Sequence, residues 1–107
     1  MKVFNLTNLT ELRLSSNNFT GKLPSFQNLK QLQKLEIQAS GFEGPIPSSL
    51  FVLSNLTELR ISDLHGGSSI FPLRSNMTGM KRLMLRSCNI SGTIPNYIAQ
   101  MKGLQYL

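Results

Sequence analysis

Asn8-Leu9-Thr10-Glu11-Leu12-Arg13 returns unchanged as Asn55-Leu56-Thr57-Glu58-Leu59-Arg60, 47 residues later. An intermediate copy reads Gln31-Leu32-Gln33-Lys34-Leu35-Glu36, and a fourth reads Gly79-Met80-Lys81-Arg82-Leu83-Met84. The period is therefore 23 to 24 residues. A second marker keeps the same period: Gly21-Lys22-Leu23-Pro24 is followed by Gly44-Pro45-Ile46-Pro47 and Gly92-Thr93-Ile94-Pro95. Two independent markers on one period identify a repeat architecture, in which each unit buries its apolar face only by stacking on its neighbours.

Each unit reads L-x-x-L-x-L-x-x-N. The first is Leu9, Leu12, Leu14, Asn17; the second Leu32, Leu35, Ile37, Ser40; the third Leu56, Leu59, Ile61, Leu64; the fourth Met80, Leu83, Leu85, Cys88. The alternating L-x-L core predicts short strands with one face buried, near 11–15, 34–38, 58–62 and 82–86. Stacked, they form a parallel sheet on a concave face. The last position of the motif points inward, and only Asn17 supplies an amide there. After each strand the pattern predicts a turn, an inward apolar residue and Gly, as in Phe19 with Gly21, Phe42 with Gly44 and Ile90 with Gly92. Apolar residues three apart then follow, Leu50 with Leu53 and Leu56, and Ile98 with Met101 and Leu104. These predict irregular or 3-10 turns on the convex side. The third unit departs from the pattern with His65-Gly66-Gly67-Ser68-Ser69, which reads as an irregular, flexible loop. The fold class is an α/β repeat, a right-handed solenoid of about four units across residues 1–107.

Composition excludes several chemistries. The 107 residues carry 11 Lys+Arg against 5 Asp+Glu, a net charge of +6, and 40% are hydrophobic, too many for a disordered chain. One Cys permits no internal disulfide, and one His with one Cys cannot build a zinc site of about four ligands. No apolar run reaches the ~20 residues of a membrane span. No phosphate-binding loop or kinase motif occurs, Gly66 to Ser69 being followed by no Lys. His65 has one nearby acid, Asp63, and no nucleophile at a recognisable spacing. No catalytic residue, metal or cofactor is expected in this segment.

The S/T-G-x-I/L-P element at Thr20 to Pro24, Gly44 to Pro47 and Ser91 to Pro95 resembles the plant-specific class of leucine-rich repeats. Ile61-Ser62-Asp63-Leu64 with Phe71-Pro72, and Leu85-Arg86-Ser87-Cys88-Asn89, are similar to the receptor-like kinase subfamily whose repeats precede a malectin domain. The resemblance implies an extracellular recognition module of a plant receptor-like serine/threonine kinase. The partner would be a peptide, glycan or protein, with a possible co-receptor, and the kinase would lie elsewhere in the full-length relative. The same repeat also builds secreted enzyme inhibitors, and a purely structural spacer is a third reading. The chain opens inside a repeat at Phe4-Asn5-Leu6 and stops on Leu107, as an internal slice uncapped at both ends would.

N-x-S/T sequons begin at Asn5, Asn8, Asn18, Asn55, Asn76 and Asn89. Together with the resemblance they predict the secretory pathway and the extracellular side of the plasma membrane. On the concave face three columns can be written: Glu11, Lys34, Glu58, Arg82; Arg13, Glu36, Arg60, Met84; and Ser15, Gln38, Ser62, Arg86. The first alternates in sign throughout and the second does so until Met84, predicting cross-strand ion pairs. Arg86 has no acid in its column. After Asp63 the chain holds +5 of the net +6 in Arg74, Lys81, Arg82, Arg86 and Lys102. Any retained ligand contact is therefore expected at Arg82, Met84 and Arg86, favouring an acidic glycan or peptide. Nucleic acid is not expected, since neither aromatic interleaving nor a recognition helix accompanies the basic residues.

Overall fold

The computed structural model describes residues 6–15, 20–71, 75–101 and 103–105. Four strands, β1 (Glu11–Arg13), β2 (Lys34–Gln38), β4 (Glu58–Ser62) and β7 (Arg82–Arg86), form one parallel sheet in the order β1-β2-β4-β7. Between them run the two-residue strands β3 (Glu43–Gly44), β5 (His65–Gly66) and β6 (Ser69–Ile70), and β8 (Ile90–Ser91) follows β7. The last three long strands occupy the predicted ranges; β1 ends two residues early, at Arg13. The backbone nevertheless carries on bonding, with Leu14 N–H donating to the Glu36 carbonyl at 2.8 Å.

Register follows the repeat. Leu12 pairs with Leu35, Leu35 with Leu59, and Leu59 with Leu83, so one inward column of leucines crosses the sheet. All four are buried. A backbone ladder enters each strand: Gln33 N–H donates to the Thr10 carbonyl, Thr57 to Gln33, Lys81 to Thr57 and Gln105 to Lys81, at 2.7 to 2.8 Å. The last bond brings Gln105 to the place that Gln33, Thr57 and Lys81 take in earlier turns.

The convex side explains the spacing of three. Leu53 N–H donates to the Leu50 carbonyl and Leu56 to Leu53; Met101 donates to Ile98 and Leu104 to Met101; Leu29 donates to Phe26 and Leu32 to Leu29. In i to i+3 turns, residues three apart eclipse on one face, so each apolar triplet points into the core. Formal 3-10 helix covers Ser48–Val52 and Asn96–Ile98. Among the described residues no helix is long and apolar enough to cross a membrane.

Each long strand after the first is followed by a left-handed residue, Ala39, Asp63 and Ser87, with φ of 51°, 60° and 53°. This turn sends the next side chain inward, and Ser40, Leu64 and Cys88 are all buried. The Cys88 thiol donates to the Arg86 carbonyl at 3.2 Å and contacts that of Ile61 at 3.5 Å. Ser40 Oγ has no hydrogen-bond partner among the described residues. Asn17, Phe19 and Phe4 lie outside the described residues, as do Pro72, Arg74, Lys102 and Leu107.

The third unit is not the irregular loop its composition predicts. His65–Gly66 pairs backward with Glu43–Gly44, and Ser69–Ile70 pairs forward with Ile90–Ser91. Gly67 and Ser68 make the step between two short parallel ladders on the lateral face. The step is packed: Ser69 Oγ accepts from Ile46 N–H at 2.9 Å and is buried, and a Cβ on Gly44 would stand 3.0 Å from the Gly67 carbonyl oxygen. Main-chain bonding holds this segment, which is why a Gly/Ser composition hides it.

Candidate functional site

Charged side chains line the concave sheet in columns. In the first column Lys34 Nζ lies 3.8 Å from Glu11 and Arg82 lies 3.6 Å from Glu58, as predicted. The second column departs from expectation. Arg13 and Arg60 do not pair across strands with Glu36; they turn along their own strands to Glu11 and Glu58, at 3.8 and 3.4 Å. Residues two apart in a strand share a face, so the nearer acid wins. Glu36 is left without an ion pair within 4 Å among the described residues, although its register partners are Arg13 and Arg60.

The third column also differs. Ser62 stands on the solvent side of β4 but is only 1% exposed. Gln38 Nε2 reaches diagonally across it to Met84 Sδ, 3.9 Å away. A small residue in the central strand lets its two neighbours close over it. The sequence signal was present in the size of Ser62, but only the register makes it readable.

Of the three predicted contact residues, β7 places all on one face. Arg82 is committed to Glu58, and Met84 is half-buried under the Gln38 amide. Arg86 is exposed at the end of the strand, paired in register with Ser62, and makes no ion pair within 4 Å among the described residues. Four sequon asparagines, Asn8, Asn55, Asn76 and Asn89, are exposed; Asn5 and Asn18 lie outside the described residues.

His65 is exposed on the lateral ladder, opposite Glu43 in register. No group of three or more His, Cys, Asp or Glu residues that could hold a metal ion occurs among the described residues. Burial pushes the Cys88 thiol above its ordinary range, and burial does the same to the Tyr97 phenol. A cavity of about 270 Å³ opens between Phe71, Leu83, Leu85, Ile90, Ile94 and Ile98. Its lining is apolar, and Ile94 is 71% exposed where its counterparts Leu23 and Ile46 are each 7% exposed. The side chains that line it are all apolar and offer no charged or hydrogen-bonding side chain to orient a ligand.

The leucine-rich repeat family model matches residues 8–29 and 79–101. The receptor-like protein Cf-9 of Solanum pimpinellifolium is 43% identical over 111 residues, which cover 96% of this chain and 13% of that protein. A probable LRR receptor-like serine/threonine-protein kinase of Arabidopsis thaliana is 54% identical over 54 residues, covering 50% of this chain and 5% of that protein. The receptor-like protein kinase HAIKU2 of the same plant is 38% identical over 89 residues, covering 81% of this chain and 9% of the kinase. The chain thus spans a small part of the relatives it matches. No solved structure matches it. The 23- to 24-residue period, the stacked parallel strands and these likenesses agree: the chain is a leucine-rich repeat segment of the plant receptor-like type.

Proposed function

We propose that this segment is part of the extracellular recognition region of a plant receptor-like protein or receptor-like kinase, and that its concave sheet contributes to a partner-binding surface. The names of its relatives support the receptor setting. Signal passage would follow from association with a co-receptor, through parts of the protein outside this chain.

The contact centres on β7 at Arg82, Met84 and Arg86. The observation that carries this is the state of Arg86: an exposed guanidinium with no acid within 4 Å among the described residues. Guanidinium presents a planar fork of donors that matches a carboxylate, so the partner group is anionic, supplied by an acidic peptide or a uronic-acid glycan. Arg82 and Met84 shape the floor beside it, each held by its own neighbour. About a dozen concave side chains are available here, against ~20–30 residues a side in a standard interface, so this segment supplies part of a larger surface.

The test is Arg86→Glu in the full-length protein, with binding of an acidic peptide and of an oligogalacturonide measured at low and moderate salt. The expected result is loss of affinity for one of the two, most marked at low salt. Unchanged affinity for both, with the fold intact, makes Arg86 an ordinary solvated charge and overturns the assignment.

A further inference from the structure

We propose that Asn76 and Asn89 carry N-linked glycans while Asn55, despite an intact sequon, stays bare, leaving the concave sheet open between glycosylated flanks. The proposal rests on the extracellular reading above, because the sugar donor is met only in the secretory pathway.

The sequons differ in what holds them. At Asn55-Leu56-Thr57 both polar groups of the motif are engaged by the preceding repeat. Asn55 Nδ2 donates to the Lys30 carbonyl at 3.1 Å, and Thr57 Oγ1 donates to the Gln33 carbonyl at 3.2 Å. Leu56 between them is fully buried. Glycosylation consumes that amide. Asn Nδ2 attacks the anomeric carbon of a lipid-pyrophosphate-linked oligosaccharide; the C–N bond forms, the C–O bond to pyrophosphate breaks, one amide proton passes to a base, and the lipid pyrophosphate leaves. The motif also requires the hydroxyl two residues on. Stacking of the third repeat on the second engages both groups at once, although Asn55 itself stays exposed.

Asn76 and Asn89 are free of such ties. Both side chains are exposed and make no hydrogen bond among the described residues, and Thr78 and Ser91 are exposed as well. The backbone alone is engaged: Asn76 N–H donates to the Phe51 carbonyl at 2.9 Å, and the Asn89 carbonyl accepts from Ser69 N–H at 3.0 Å. Asn89 sits in a turn with φ of 54°, a conformation Asn tolerates and one that turns its side chain outward.

The placement has a consequence for binding. None of β1, β2, β4 and β7 contains an asparagine, so no glycan can stand on the concave sheet. Asn89 lies beside the lateral step at Gly67 and Ser68, so a glycan there shades that ladder. The surface left bare is the one that carries Arg86.

The experiment is site-resolved glycopeptide mass spectrometry of the full-length protein secreted from plant cells, after enzymatic release in heavy-oxygen water. Expected are occupied Asn76 and Asn89 and an Asn55 occupancy at least tenfold lower. Asn76→Gln and Ser91→Ala, which removes the Asn89 sequon without touching its left-handed residue, should each remove one glycan mass step and leave the urea midpoint unchanged. Asn55→Gln should lower the midpoint and remove no glycan. Asn55 occupied as fully as Asn76 and Asn89, or a bare pair at Asn76 and Asn89 beside an occupied Asn8, overturns this map. Absence of glycan from every sequon overturns the extracellular reading instead.

Discussion

Gln38 and Met84 meet over Ser62: the Gln38 amide on β2 lies 3.9 Å from the Met84 sulfur on β7, across the central strand β4. Two strands that share no ladder are thus joined on the concave face, and the serine beneath them is 1% exposed. Met84 is therefore a held side chain within the candidate surface, and Arg86 beside it makes no ion pair within 4 Å among the described residues.

This arrangement sets an order of oxidation. Met77, Met80 and Met101 are buried, whereas Met84 is half-buried on the concave side. Under mild peroxide Met84 is expected to form the sulfoxide before those three. Gln38→Ala should speed that reaction several-fold while costing less than about 1 kcal/mol of stability, the ordinary worth of one long, partly buried hydrogen bond to sulfur. Peptide mapping over a time course measures both. Equal rates in the two proteins would mean the amide does not shield the sulfur.

Glu58 is the acid on which two cations converge, Arg60 at 3.4 Å and Arg82 at 3.6 Å, and its side chain is 21% exposed. Glu11 also receives two, but at 3.8 Å and with half its side chain in solvent. Glu58→Gln should therefore cost about 0.5–1 kcal/mol, and Glu11→Gln no more than a few tenths. Salt should narrow the gap, since exposed pairs are screened. Urea denaturation at two ionic strengths checks the ranking; a larger loss for Glu11→Gln would contradict it.

The lateral step depends on the bare Cα of Gly44. Gly44→Ala would place a Cβ 3.0 Å from a backbone carbonyl oxygen, that of Gly67, which has no flexible side chain to yield. The expected cost is about 1–3 kcal/mol, as for other overpacked sites. Gly79, where a Cβ would meet nothing within 4 Å, is the control, and Gly79→Ala should stay within ~0.5 kcal/mol. Thermal denaturation of the two variants separates the cases.

Cys88 should be inert while the chain is folded. Burial is the largest influence on its thiol and raises its pKa from the ordinary 9.0, and hydrogen bonding to backbone only partly offsets that. The sign follows from linkage. A folded-state pKa above the unfolded one favours the protonated fold, so this contribution is complete below about pH 8.5 and is lost as pH rises through the folded value. Iodoacetamide at pH 8 should label Cys88 at the rate of unfolding and quickly only in denaturant. Rapid labelling of the native chain would show an accessible thiolate.

How much of this could be read in the residues varies by element. Leu12, Leu35, Leu59 and Leu83 were legible as one buried column because a strand's period of two and the repeat's period both mark them. The triplets such as Leu50, Leu53 and Leu56 were legible as turns for the same kind of reason. The segment His65–Ser69 was not, because its order comes mostly from main-chain ladders, and nothing in the spacing marks Ser69 as the one side chain that packs inward. The candidate site was half legible: Glu58 with Arg82 followed from adjacent columns, but the turning of Arg13 and Arg60 along their own strands did not.

By itself the sequence determined the repeat, the strand positions, the inward faces and the basic character of the last strand, because each depends on local spacing that neighbouring copies repeat. Tertiary structure alone decided which charges remain uncommitted, why Ser62 is buried, and which sequons are tied into the stack. Those outcomes depend on distances between residues some two dozen positions or more apart, where local spacing carries no information. Glu36 has arginines on both sides in register and pairs with neither, because Arg13 and Arg60 each have a closer acid on their own strand.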